Sequence, residues 1–294
     1  MAFRGGVTAR PGRRFAMIKS ILVALDGSEH AEAALQHAFS LATRLRATVL
    51  GLHVIDVVSI EGSFLHDISG SLGFEPYLDF SAKMREALRE RGRVLLETFS
   101  RRAAERGTPS DTILGMGIVA NEICDQARVA DLVVMGHRGV NEQFSSGLLG
   151  STTESVTRKS PKPVLVSPMR FQEVTRPLLA YDGSQRASAA MHAAAELTTA
   201  LGLPLTVLHV AREDGGDGRV LDEARRYLHS YDLAVTFETV RGHPHERIVE
   251  FIGARDHDLL FIGAYGHSRI IEMVLGSTTE YVLRNSPCPV FLAR

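Results

Sequence analysis

Three kinds of residue in this chain have the types and spacing to do chemistry together, and each occurs twice. Asp-Gly-Ser stands at Asp26-Gly27-Ser28 and again at Asp182-Gly183-Ser184. A glycine pair stands at Gly136-His137-Arg138-Gly139 and again at Gly263-Ala264-Tyr265-Gly266. The pentapeptide Gly-Ser-Thr-Thr-Glu occurs at 150–154 and at 276–280, each time shortly before Ser-Pro-x-Pro and an apolar run. A carboxylate at such a place accepts hydrogen bonds from a ribose or a base. It also suits the start of the next helix, because Asp and Ser are favoured N-caps. Both readings stay open.

Paired glycines permit positive φ and let the backbone approach a ligand, although any tight turn after a strand uses glycine too. Ser151-Thr152-Thr153-Glu154 and Ser277-Thr278-Thr279-Glu280 have the Ser-x-x-Glu form of a capping box. A helix starting there turns its free N–H groups and positive dipole end toward an anion. Gly150 and Gly276 leave room for one, and the hydroxyls add neutral donors or metal ligands. The pentapeptide therefore reads as a plain helix start or as a helix start that also holds phosphate.

Other candidates are weaker. No Gly-x4-Gly-Lys-Ser/Thr phosphate loop occurs, and no Lys stands in either glycine loop. Arg138 and Arg269 are the nearest cations, as phosphate contacts or as solvated loop charges. His137 and His267 lie in the same loops, where solvent-exposed histidines are the commoner case. His243 and His245 have no evident third ligand nearby, so no metal site is expected.

The elements that must position these residues are also written twice. "SILVALDGSE" at 20–29 matches "PLLAYDGSQ" at 177–185, and "ATVLGLHVID" at 47–56 matches "LTVLHVA" at 205–211. "ADLVVMGHRG" at 130–139 matches "HDLLFIGAYG" at 257–266, and "GSTTESVTRKSPKPVLV" at 150–166 matches "GSTTEYVLRNSPCPVFL" at 276–292. Blocks repeated in one order are two copies of one domain, at 17–170 and 171–294. Asp26 recurs 156 positions on as Asp182, and Gly136 recurs 127 on as Gly263. The difference, 29 residues, is extra chain in the first copy. Its segment 57–80 is Gly-rich, yet Phe64, Leu65, Phe74, Tyr77 and Phe80 call for burial, over the cleft, at a subunit contact or against its own helix.

Short Val- and Leu-rich runs such as "ILVAL" and "LVVM" suit strands covered on both faces. Between them, Ala34, Leu35, Ala38, Leu41, Ala42 and Leu45 form one helical stripe over 31–46, and Met84, Leu88, Leu95, Phe99 and Ala103 another over 81–106. Strands alternating with helices imply an α/β fold, here two tandem doubly wound parallel-sheet domains of Rossmann-like, nucleotide α-hydrolase-like type. In such sheets ligands lie beyond the carboxyl ends of the strands at the switch point. The duplicated motifs fall there.

The motifs taken together resemble the universal stress protein family. Its nucleotide signature is Gly, two residues, Gly, nine residues, then Gly-Ser or Gly-Thr. Gly263, Gly266 and Gly276-Ser277 satisfy it; Gly136, Gly139 and Gly150-Ser151 carry ten residues in the long gap. The resemblance runs from Met17 to Arg294 and implies a tandem member that binds an adenine nucleotide, ATP with Mg²⁺ among them. It implies that Asp26 and Asp182 contact the adenosine, and that Val54 and Val210 offer backbone contacts to adenine. It implies that Gly136, Gly139, Gly150, Ser151 and Thr152 hold ribose and phosphates, as do Gly263, Gly266, Gly276, Ser277 and Thr278. The expected role is a nucleotide-dependent stress-response switch, not an enzyme. A slow ATPase and a nucleotide-free interaction module are the alternatives.

Bulk properties fit that expectation. There are 33 basic and 34 acidic residues, a balance that argues against nucleic acid as the main partner. No apolar run reaches the roughly 18 residues of a membrane span. Cys124 and Cys288 fit no metal spacing and read as core residues in a reducing, cytoplasmic setting. Residues 1–16 carry Arg4, Arg10, Arg13 and Arg14 without an apolar stretch, and read as a disordered tail or a mis-assigned start. The two copies are expected to pair as a pseudo-dimer within the chain, through the apolar edges at 163–168 and 289–294, or to form a homodimer.

Overall fold

The computed structural model describes residues 18–56, 74–140, 149–211, 219–263 and 276–293. The tail at 1–16, residues 57–73 of the extra segment, Gly266, His267 and Arg269 lie outside them.

The first copy runs β1 (Ser20–Ala24), α1 (Glu29–Leu45), β2 (Thr48–Asp56), α2 (Phe74–Glu105), β3 (Ser110–Gly117), α3 (Val119–Gln126), β4 (Leu132–Gly136), α4 (Ser151–Lys159) and β5 (Val164–Ser167). The second runs β6 (Pro177–Ala180), α5 (Gln185–Leu201), β7 (Leu205–Ala211), α6 (Arg219–Leu228), β8 (Val235–Arg241), α7 (Pro244–Ala254), β9 (Leu259–Gly263), α8 (Ser277–Asn285) and β10 (Val290–Ala293). The helical stripe expected over 31–46 forms α1, closed by Arg46 in the left-handed region at φ 57°. The helix expected over 81–106 begins earlier, at Phe74, and absorbs the end of the extra segment. Pro76 does not stop it, because a proline in the first turn gives up no helical hydrogen bond.

Among the described residues the ten strands form one sheet in the order β3-β2-β1-β4-β5-β10-β9-β6-β7-β8. Within each copy the pairs are parallel, as between Val23 and Val134 or Leu179 and Phe261. β5 and β10 pair antiparallel, with Phe291 opposite Leu165. The two apolar strands expected as edges therefore lie at the centre and satisfy each other.

Alternate residues of the inner strands feed two cores, one on each face. Val23, Val134, Leu179 and Phe291 pack under α1, α2, α5 and α6. Leu22, Val133, Leu208 and Leu292 pack over α3, α4, α7 and α8. Both cores run through both copies. Arg44, in the last turn of α1, ties the halves on one face: its Nη1 donates to the Val174 carbonyl at 2.8 Å and its Nη2 to the Leu201 carbonyl at 3.2 Å. Among the described residues no helix is long and apolar enough to cross a membrane.

Candidate functional site

In each copy the strand order reverses between the first strand and the fourth, so the chain leaves the sheet on both sides of one gap. Leu25 N–H donates to the Leu52 carbonyl at 2.8 Å, and Tyr181 N–H to the Leu208 carbonyl at 2.9 Å. His53 Nδ1 donates to the Leu25 carbonyl at 2.7 Å, and His209 Nδ1 to the Tyr181 carbonyl at 3.0 Å. These bonds fix where the next residue, Asp26 or Asp182, starts its turn.

Each aspartate then shapes that turn. Asp26 Oδ1 accepts from Ser28 N–H at 2.9 Å, and Asp182 Oδ1 from Ser184 N–H at 3.0 Å. Gly27 and Gly183 supply the left-handed residue, at φ 84° and 79°. Ser28 and Ser184 are the N-caps: each Oγ accepts from a backbone N–H, of Ala31 and Ala187, at 3.1 Å. The reading in which the aspartates cap the helices is thereby corrected. The serine is the residue placed to reach the third N–H of the helix.

The capping box expected at Ser151 and Ser277 is not made. Gly150 and Gly276 occupy the N-cap positions, and neither helix has a side-chain cap. Glu154 and Glu280 instead pair one turn along with Arg158 and Arg284. The helices start one residue earlier than the motif suggests, which puts the serines inside the first turn. Ser277 is exposed and Thr278 half-buried. The first turns of α4 and α8 thus keep free N–H groups next to hydroxyls that no cap consumes. The buried third hydroxyl braces the loop instead. Thr153 Oγ1 donates to the Gly136 carbonyl at 2.9 Å, tying α4 to the end of β4.

In the second copy these parts surround a cleft of about 370 Å³. Asp182, Val210, Gly263, Gly276, Ser277 and Thr278 all line it. Ala180, Leu208, Ile248 and Ile262 make its apolar side, and Arg186 is its one cationic side chain among the described residues. Such a volume lies within the roughly 300–1,000 Å³ typical of small-molecule sites. A Cβ added at Gly263 would stand 2.5 Å from the carbonyl carbon of Arg186, so that close approach requires glycine.

The sequence profile of the universal stress protein family matches residues 17–168 and again residues 174–294. The chain belongs to the universal stress protein family. A universal stress protein of Synechocystis sp. is 30% identical over 287 residues, covering 94% of this chain and 100% of its own. A single-copy universal stress protein of Methanocaldococcus jannaschii is 33% identical over 154 residues, covering 51% of this chain and 94% of its own. The crystal structure of a universal stress protein from Archaeoglobus fulgidus shares the fold, with a TM-score of 0.75 at 24% identity over 94% of this chain and 98% of that one.

The first copy of this universal stress protein assembles the same residues differently. Asp26 Oδ2 accepts from Val140 N–H at 3.1 Å, so both its oxygens are held by the chain's own backbone. A Cβ at Gly139 would stand 2.7 Å from that oxygen, which is why this loop residue is glycine. Gly150 N–H donates to the His137 carbonyl at 3.2 Å, and His137 N–H to the Ser167 carbonyl at 2.8 Å. Gly136 lies against His30, which is buried beside His137 with ring centroids 6.1 Å apart. Val54 sits half-buried at the end of β2, and Ser151 and Thr152 open α4. The loop from 140 to 149 that carries the extra residue lies mostly, at 141–148, outside the described residues.

His243 and His245 have ring centroids 6.0 Å apart, and His245 rests on Tyr281 at 4.7 Å. Among the described residues no cluster of three or more His, Cys, Asp or Glu could hold a metal ion. Burial pushes the Cys288 thiol up to about 12, as befits a core residue rather than a nucleophile. Sequence reasoning missed His53, His209 and Arg186. The histidines were signalled by their recurrence inside the matched blocks, and Arg186 by its replacing His30 at the common offset.

Proposed function

We propose that this universal stress protein binds an adenine nucleotide in the second-copy cleft and acts as an occupancy-dependent regulatory switch, not as a catalyst. The observation that carries the reading is the division of that cleft's lining between apolar side chains and polar groups. Leu208, Val210 and Ile262 suit a base, Asp182 suits ribose hydroxyls, and the Gly276-Ser277-Thr278 helix start suits phosphate oxygens. ATP fits this division, with Mg²⁺ held chiefly by phosphates and water. Occupancy changes the protein's behaviour only as far as ATP prefers one conformation or assembly over another. In the first copy a nucleotide must displace Val140 from Asp26, so that cleft is the weaker site. Cys124 and Cys288 are free thiols, which agrees with a cytoplasmic setting.

Thermal melting with and without ATP·Mg²⁺ tests the reading. At a hundredfold excess over Kd the native state gains about 2.7 kcal/mol and Tm rises. Ser277→Trp, at an exposed first-turn position, plugs the second cleft and removes most of the rise. No rise in the wild type points to a nucleotide-free interaction module. Phosphate release well above background, lost with Ser277→Trp, points to an ATPase.

A further inference from the structure

We propose that Arg186 reads the phosphate charge of the second-cleft ligand, giving that cleft a preference for nucleoside di- and triphosphates that the first copy lacks. The inference rests on the nucleotide reading of the cleft and adds its specificity.

Arg186 lies in the first turn of α5, where a cation opposes the helix dipole. Helix stability therefore does not explain it. The first copy follows the usual rule, with Glu29 and Glu32 in the first turn of α1, whereas α5 has no acidic residue there. Nor does a partner explain it. Arg186 is exposed and makes no ion pair among the described residues. A residue that breaks a local rule without local compensation is where function is expected.

Its position gives the function. The Arg186 backbone and Cβ cover Gly263, and Arg186 lines the cleft together with Gly276, Ser277 and Thr278. The starts of α5 and α8 both line the cleft, and Arg186 adds the full charge that hydroxyls and N–H groups lack. A guanidinium stays protonated and matches two phosphate oxygens at once. A nucleoside without phosphate offers it nothing, so its contribution grows with phosphate number. At the same place in the first copy, 156 residues earlier, stands His30, only 6% exposed and packed on Gly136.

Isothermal titration calorimetry of the full chain with adenosine, AMP, ADP and ATP, each with Mg²⁺, tests this. The second cleft is identified as the site lost in Ser277→Trp. In the wild type its affinity rises from adenosine to ATP. Arg186→Ala lowers ATP affinity about tenfold or more while leaving adenosine within twofold; Arg186→Lys restores part of the loss. Unchanged ATP affinity in Arg186→Ala, or equal loss of ATP and adenosine, overturns the proposal while leaving the nucleotide reading intact. A wild type that binds none of the four overturns that reading, and this proposal with it.

Discussion

Gly253 and Gly263 stand ten positions apart and answer to different constraints. A Cβ at Gly253, exposed in α7, meets nothing within 4 Å. Gly253→Ala therefore stabilises the protein by about 0.5–1 kcal/mol through helix propensity, measured by urea denaturation. A Cβ at Gly263 meets the Arg186 backbone at 2.5 Å and 2.6 Å, and backbone does not yield as a flexible side chain does. Gly263→Ala costs about 1–3 kcal/mol and weakens the ATP-dependent melting shift, because Arg186 and the cleft wall move together. At this scale the glycines, aspartates and hydroxyls were legible because repetition marked them. Which atom caps which helix was not. A start displaced by one residue turned Ser151 and Ser277 from caps into first-turn residues, and no local pattern distinguishes the two. The bond from Val140 to Asp26 spans 114 residues and has no signature in either segment.

Among the elements, the strand starts are held by a matched pair of aspartates of unequal strength. Asp258 is 1% exposed and accepts from Thr175 N–H at 2.8 Å, Thr175 Oγ1 at 2.6 Å and Arg176 N–H at 2.8 Å, fixing the entry to β6. Asp131 is half-buried and accepts from Lys19 N–H at 2.8 Å and Ser20 N–H at 3.0 Å, at the entry to β1. Asp258→Ala strands three donors and costs on the order of 3 kcal/mol, while Asp131→Ala costs about 1–2 kcal/mol, both read from denaturation midpoints. The ladder of strands and helices was legible from apolar runs and 3.6-residue stripes. The early start of α2 was not, since the Gly-rich segment up to residue 80 carries no helical stripe of its own and the stripe starts at Met84.

Across the whole molecule, the joint between copies contains a buried base. His37 on α1 is 1% exposed, and its ring lies 4.8 Å from that of Phe171 in the connection between the copies. Burial pushes its pKa down to about 4, against the smaller opposing pull of a bond to the Arg170 backbone and of Asp258. Burial lowers His257 as well. A lowered histidine favours the neutral folded form. Its contribution is complete above the unfolded pKa near 6.5 and is lost as pH falls toward 4, a change on the order of 3 kcal/mol for His37. Circular dichroism during urea unfolding at pH 7.5 and pH 5 reads about 2 kcal/mol of this change, and His37→Gln flattens the difference.

Pairing of the two terminal strands was legible as an expectation, but its consequence needed the sheet. Because β5 and β10 run in opposite directions, the carboxyl ends of β1 and β4 point to one rim and those of β6 and β9 to the other. The two switch points therefore face opposite rims of one sheet, like the bowls of an hourglass. A ligand at one switch point, on the proposed reading, leaves the opposite rim uncovered. On the proposed reading, a signal combining both occupancies crosses the joint where β5 pairs with β10, where the two shared cores continue from copy to copy, and where Arg44 reaches Val174 and Leu201.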